Sequence, residues 1–411
     1  MKNIKIIIGL LFTLMASLAS AQQDILDSYI VTAAENNPAL KAKFNDYLAA
    51  LEKAPQVKAL PDPQLAFAFF VSPVETRMGP QRFKIGASQF FPWFGTLAAK
   101  EDAAIQAAKA KYELFEESKA KLFNDVRGAY FDLYFNAKAI GITLENIEIL
   151  QTFQKLANIK IEAGLVSVVD EYRIEMEINE LENQLALLRD KNLSLQVMFN
   201  NLLDTEETTA VKLPDNLWET AFALTKEAAL DSVRASNHQL LMLDLQQTTL
   251  EYQRKVAEYA GKPGFKIGFD YTFIGEGKNN LQGKDAFVFP SVGITIPLYR
   301  NKYKAMVQEV LYMEAAKENE KQNKVNVLET IFEDGWKNYL DATRRVDLYR
   351  KQNELATNAM RILETDYSAG NKNFEEILRM ERKVLKYSLE EQKALADKRA
   401  AISFLDYLRG R

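Results

Sequence analysis

The chain repeats a set of spaced residues at an offset of about 200 positions, so its fold must be built twice from the same elements. The matched pairs are Asn37 with Asn237, Leu40 with Leu240, Pro63 with Pro263, Pro92 with Pro297, and Gly164 with Gly370. The offset grows slightly along the chain, as expected where loops differ in length between two copies. We predict a first repeat over 22–204, a polar linker over 205–216 and a second repeat over 217–411.

The N-terminus has the pattern of a secretory signal peptide. Two lysines precede an apolar run, which is followed by the small residues Ala19-Ser20-Ala21. The run has about 13 residues, fewer than the roughly 20 that a helix needs to cross a bilayer. We therefore predict a cleaved signal peptide over 1–21, and we find no later apolar run long enough for a transmembrane helix.

Composition excludes several classes of protein. The chain has no Cys and a single His, which excludes thiolate metal sites and cysteine nucleophiles. It is mildly acidic, with a formal net charge of −4, which disfavours nucleic acid as a partner. No sequence motif for catalysis, cofactor binding or metal binding is present, so we predict neither an enzyme nor a cofactor.

Each repeat shows the same order of predicted elements: an opening helix, two strands and a long proline-free helical hairpin. The opening helices are predicted at about 25–52 and 217–259. In the first repeat the strands fall at about 64–72 and 82–91, and the helical hairpin at about 97–203. In the second repeat the strands fall at about 265–274 and 286–296, and the helical hairpin at about 303–408.

The predicted strands alternate large apolar residues with small or polar ones. Each has about 9–11 residues, the length of a tilted strand in an outer membrane. The same alternation also occurs in a half-buried sheet of a water-soluble protein, so the strands alone leave both alternatives open. In a membrane, four strands are too few to close a barrel, whose minimum is about eight, and several chains would have to share one barrel.

Several short motifs, in order and partly duplicated, resemble the TolC family of outer-membrane efflux proteins across the mature chain. They are Asn36-Asn37-Pro38-Ala39-Leu40, Pro61-Asp62-Pro63, Phe91-Pro92-Trp93-Phe94-Gly95, Ile296-Pro297-Leu298, and Ala163-Gly164-Leu165-Val166 with Asp170. The resemblance implies a mainly helical fold with transmembrane strands. It implies a homotrimer with a 12-stranded β-barrel in the outer membrane and an α-barrel extending through the periplasm. It also implies two partners, a periplasmic adaptor protein and a proton-driven inner-membrane pump.

The resemblance also implies a gate at the periplasmic ends of the helical hairpins. The matched positions of the gate are Asp170 on the first hairpin and Tyr367, Lys372 and Glu376 on the second, and the hairpin-tip glycines are Gly164 and Gly370. In a threefold assembly an inward Glu376 would form a ring of three carboxylates that filters ions by charge. The alternative is that this carboxylate simply favours the start of a helix. Arg379, at a second acidic position of the family, leaves the charge of the ring open.

These observations predict a passive exit duct of a tripartite efflux system for small molecules or ions. The alternative is a periplasmic coiled-coil scaffold without a channel, whose sheet packs in water. The exported compound is left open, and so is the cation-efflux branch of the family, because selectivity there can reside in the pump.

Overall fold

The computed structural model describes residues 25–164, 166–218, 220–277, 284–368 and 374–411. The predicted signal peptide, Gly370 and Lys372 lie outside the described residues. The described part is mainly helical with one small antiparallel sheet, which confirms the predicted fold class. Within the described ranges, no helix combines the length and the apolar composition that crossing a membrane requires.

The helices and strands follow the duplicated order. In the first half they are α1 (25–36), α2 (Pro38–Leu51), α3 (Lys53–Lys58), β1 (Gln64–Phe69), β2 (Glu75–Thr76), β3 (Gly79–Phe91), α4 (Thr96–Glu162) and α5 (Val168–Leu203). In the second half they are α6 (Lys226–Ser236), α7 (His238–Ala260), β4 (Gly264–Ile274), β5 (Ala286–Thr295), α8 (Arg300–Ser368) and α9 (Phe374–Leu408).

The residues fall into two compact units. The first unit comprises the described residues of Met1–Ala42, Glu116–Asn237 and Asn326–Arg411, and it is built from helices. Its core includes a cluster to which α4, α5, α8 and α9 all contribute. Buried members of this cluster are Ile147, Leu150, Phe153, Ala157, Ile174, Ile178, Leu181, Leu185, Met360, Tyr367, Phe374, Ile377, Leu378 and Leu385.

The second unit comprises Lys43–Phe115 and His238–Val325, and it contains the sheet. The strand order is β1-β3-β4-β5, all antiparallel, with the short β2 paired to β3. The central neighbours β3 and β4 come from different repeats. The outer strands β1 and β5 each pair on one side only within the described chain.

The opening helices differ from the prediction, since each is interrupted at an asparagine. In the first repeat, the Asn37 side chain accepts a hydrogen bond from the Leu40 N–H at 3.1 Å, which caps the start of α2. Its amide donates to the Leu202 carbonyl at 3.0 Å, and the matched Asn237 donates to the Leu408 carbonyl at 2.9 Å. The interruption therefore satisfies the open carbonyl end of a second helix, α5 or α9.

The predicted start of the second opening helix, near 217, was also wrong. The structure begins α6 at Lys226, where the Thr225 hydroxyl accepts a hydrogen bond from the Ala228 N–H at 3.3 Å. A threonine in extended conformation is a favourable N-cap, so the helix starts there rather than earlier.

Candidate functional site

The predicted gate residues lie where α4 and α8 end and where α5 and α9 begin. After α4, Gly164 adopts a φ of +71°, in the left-handed region that glycine enters at little cost. Ser167 then caps α5, because its hydroxyl accepts a hydrogen bond from the Val169 N–H at 3.2 Å. We call the side chains of Lys160, Asp170, Arg173, Tyr367 and Phe374 the tip cluster.

Tyr367, at the end of α8, is the most enclosed member of the tip cluster, with an exposed fraction of 1%. Its ring centre lies 5.4 Å from that of Phe374 and 3.8 Å from the Lys160 Nζ. The Lys160 ammonium also donates a hydrogen bond to the Tyr367 carbonyl oxygen. Among the described residues, the Tyr367 hydroxyl has no hydrogen-bond partner.

Asp170, in the first turn of α5, brings negative charge to the same place. Its side chain is buried, and its Oδ1 lies 3.3 Å from Arg173 Nη1. Arg173 also lies 3.6 Å from Glu375 Oε2 in the first turn of α9, so it links the starts of the two returning helices. Burial raises the pKa of Tyr367, and the charge of Asp170 raises it further, so this phenol stays protonated at neutral pH.

The structure therefore brings Asp170 and Tyr367 together in one core. Glu376 lies in the first turn of α9 and is half-buried. Gly370 and Lys372 lie outside the described residues, so their positions relative to the tip cluster are not described.

Sequence reasoning missed Lys160 and Arg173. Arg173 carried a weak signal, its spacing of three residues from Asp170 on a predicted helix, which permits an ion pair. Lys160 carried none that pointed to Tyr367, because the two positions are 207 residues apart.

The sheet is the second candidate functional feature, since its two faces differ. On one face, Phe67 pairs with Ile85, Ile85 with Tyr271, and Tyr271 with Phe287, one from each long strand. Large apolar side chains on this face and on the sheet edges are exposed. They include Leu65, Phe67, Phe69, Val71, Ile267, Phe269, Phe273, Phe287, Phe289, Val292, Ile294 and Ile296.

The opposite face of the sheet carries small and polar residues. There, Ala66 pairs with Gly86, and Gly86 with Asp270. The Asp270 carboxylate lies 2.9 Å from Lys84 Nζ, and a Cβ at Gly86 would stand only 2.8 Å from the carboxylate oxygen. Small residues thus leave room for a charged pair on this face.

The tip cluster and the sheet differ in what they can do. Within the described ranges, no group of His, Asp and Glu side chains has the arrangement of a metal site. The tip cluster can hold four helix ends together through charge and ring contacts. The sheet can separate an apolar surface from a polar one.

Comparisons with known proteins give a family match over part of the chain and a shared fold over nearly all of it. Residues 29–202 match the family model described as outer membrane efflux protein, and no curated protein matches the chain. The fold is that of solved outer-membrane channels. It superposes on the outer-membrane channel OprN with a TM-score of 0.78 at 15% identity, covering 96% of this chain and 92% of that one.

Two further solved outer-membrane channels have a similar fold. VceC from Vibrio cholerae superposes with a TM-score of 0.77 at 13% identity, covering 95% of this chain and 98% of that one. The open state of the MtrE outer membrane channel from Neisseria gonorrhoeae superposes with a TM-score of 0.75 at 15% identity, covering 94% of this chain and 89% of that one. At these identities the likeness is one of fold. Together with the family match over residues 29–202, it confirms the resemblance to the TolC-like outer membrane efflux proteins that the sequence shows.

Proposed function

We propose that three copies of this chain form a passive exit duct through the outer membrane, with a long periplasmic extension. Each copy would contribute its four long strands to a shared 12-stranded barrel, and the helices of the three copies would continue the duct. Substrate would be delivered by an inner-membrane pump, most simply a proton-driven one, through a periplasmic adaptor protein. The duct itself would supply no energy.

The observation that carries this proposal is the exposed apolar face of the sheet. Phe67 of β1 and Phe289 of β5 are 66% and 67% exposed, although leaving such a side chain in water forgoes about 1.5–3 kcal/mol of burial free energy. A water-soluble protein seldom exposes so many large apolar side chains on one surface. Lipid around the sheet would remove this cost.

The open edges of β1 and β5 support a shared barrel. In lipid, unpaired backbone N–H and C=O groups are too costly, so edge strands must find partners. The β1 strand of one copy could pair with β5 of the next, and threefold repetition of that contact would leave no edge. The small and polar face, with Lys84 and Asp270, would then line the lumen.

For the gate, we propose that Asp170, Tyr367, Lys372 and Glu376 control the periplasmic end of the duct. Supporting this role, Asp170 and Tyr367 share one core, and the charge of Asp170 acts on the phenol. Gly164 and Gly370 would form the turns of the two hairpins. Opening would require the tip cluster to separate.

A planar-bilayer recording with native mass spectrometry tests the proposed function. We expect the purified mature protein to be a trimer and to give discrete, cation-sensitive openings. As a variant, Phe67→Asp should prevent insertion by placing a charge on the lipid face, whereas Ala66→Asp, one residue away on the opposite face, should still conduct. A monomer that stays soluble without detergent and never inserts would overturn the duct and favour the coiled-coil scaffold.

A further inference from the structure

A carboxyl group is buried in the apolar core between the helical hairpins. Glu381 lies on α9, four residues after Ile377 and four before Leu385, so it occupies the apolar face of that helix. Its exposed fraction is 2%. Among the described residues, neither of its carboxylate oxygens has a hydrogen-bond partner. A buried carboxylate without partners is strongly unfavourable, so this group calls for an explanation.

The charged groups that act on Glu381 come from α5 and α9. Across the interface, Glu177 of α5 is buried as well, and its Oε2 accepts a hydrogen bond from Arg382 Nε at 2.7 Å. Arg382 is also attracted by Glu180 of α5. Arg382 is therefore engaged mainly by Glu177, and Glu381 faces a second carboxylate.

The other two helices of this core, α4 and α8, contribute apolar side chains such as Leu150, Phe153 and Met360. Burial raises the pKa of Glu381 most, the charge of Glu177 raises it as well, and the charge of Arg382 lowers it; the net result is a pKa of about 7. At mildly acidic pH the group is a neutral carboxylic acid that the core tolerates, whereas at alkaline pH it is an ion in an apolar setting.

We propose that Glu381 makes the packing of α9 against α5 responsive to protons: the two helices pack closely when Glu381 is protonated and separate more readily when it is ionised. The acid favours the packed state because that state binds the proton more tightly than the separated one. Its contribution is full below the ordinary glutamate pKa and is lost as the pH rises through about 7.

The consequence for the duct rests on the proposed function. Glu381 lies about two turns after the start of α9, on the helix pair that carries Asp170 and Glu376. A rise in pH would lower the cost of parting these helix ends. An acidic periplasm would hold the end of the duct closed more firmly than a neutral one.

Amide hydrogen exchange of the full mature chain tests the packing directly. Rates are measured at pH 5.5 and pH 8 and divided by the intrinsic rate at each pH, over segments 174–182 and 377–385. For the wild type we expect protection to fall by about 30-fold between pH 5.5 and pH 8, the change produced by a carboxyl that titrates near 7 when packed and near 4.5 when separated. Glu381→Gln, a neutral isostere, should hold protection nearly constant.

Two further variants complete the experiment. Glu182→Gln alters an exposed carboxylate of α5 and should keep the wild-type pH dependence. Glu381→Leu should show pH-independent protection, like the glutamine variant. It replaces the glutamine variant in the comparison if that variant folds poorly. Equal pH dependence in the wild type and both Glu381 variants, or constant wild-type protection, would overturn the inference.

The same samples separate this inference from the proposed function. A protein that conducts in bilayers but shows pH-independent protection contradicts only the role of Glu381. A protein whose protection depends on Glu381 but that never conducts contradicts only the duct.

Discussion

The Lys160 ammonium lies 3.8 Å from the centre of the Tyr367 ring and donates to the carbonyl oxygen of the same residue. One side chain thus fastens the end of α4 to the end of α8. A cation over an aromatic face contributes about 0.5–2 kcal/mol, more as it is desolvated. Lys160→Met should therefore increase amide exchange at the ends of α4 and α8 several-fold. Lys155→Met, on the exposed side of α4, is the control and should change exchange little.

For the gate, Tyr367→Phe combined with Lys372→Glu should raise single-channel conductance. The first change removes the buried hydroxyl whose pKa the charge of Asp170 raises, and the second reverses a charge that could link the hairpins. Tyr349→Phe with Lys351→Glu, the same pair of changes earlier on α8, should leave conductance as in the wild type. Unchanged conductance in the first variant would remove these residues from the mechanism.

Ion selectivity should depend on Glu376 if three copies form a ring at the narrow end of the duct. Glu376→Ala should shift the reversal potential in a KCl gradient towards zero, because the ring loses its negative charge. Glu182→Ala removes a charge of the same sign from an exposed position and serves as the control. Retained cation preference in Glu376→Ala would assign the filter to another part of the lumen.

The two asparagines that interrupt the opening helices should differ in their contribution to stability. Asn237 is almost fully enclosed, whereas Asn37 is half-buried. Asn237→Ala leaves the Leu408 carbonyl without its partner and should cost about 1–3 kcal/mol, with a smaller loss for Asn37→Ala. Chemical denaturation with the exposed Asn201→Ala as a reference would measure this order, and equal losses would contradict it.

One substitution should have opposite effects at two glycines. Gly164→Ala places a side chain at a φ of +71° and should destabilise the hairpin end by about 1–2 kcal/mol through backbone strain. Gly141→Ala lies inside α4, where a new Cβ meets nothing within 4 Å, and should stabilise by about 0.5–1 kcal/mol. Thermal unfolding of both variants would show whether the signs differ as expected.

The fold class was predictable from sequence because it rests on local patterns. The repeat, the proline-free helices and the alternating strands each appear within a short window, and the order of elements follows from them. The helix interruptions at Asn37 and Asn237 were not predicted. Their side chains donate hydrogen bonds to the carbonyls of Leu202 and Leu408, which lie far along the chain. A local sequence pattern cannot indicate such distant partners.

Some residues of the tip cluster could also be predicted from the sequence, and others could not. Asp170 and Tyr367 were found through family resemblance, and Arg173 could have been found by its spacing on α5. Lys160 could not, because its contact depends on how two distant helix ends meet. Glu381 did carry a local signal: it interrupts an apolar series at positions 377, 381 and 385 of one helix face.

The adjacency of β3 and β4 in the sheet joins the two repeats, since each repeat supplies one hairpin of long strands. A chain with a single repeat would need six copies to supply the strands that three copies supply in the proposed barrel. In the proposed barrel, duplication therefore makes every second contact between neighbouring strand hairpins intramolecular. Without it, each of these contacts would form between separate chains. Closure of the proposed barrel would then depend on the third power of chain concentration rather than the sixth, so duplication makes the barrel easier to close at low concentration.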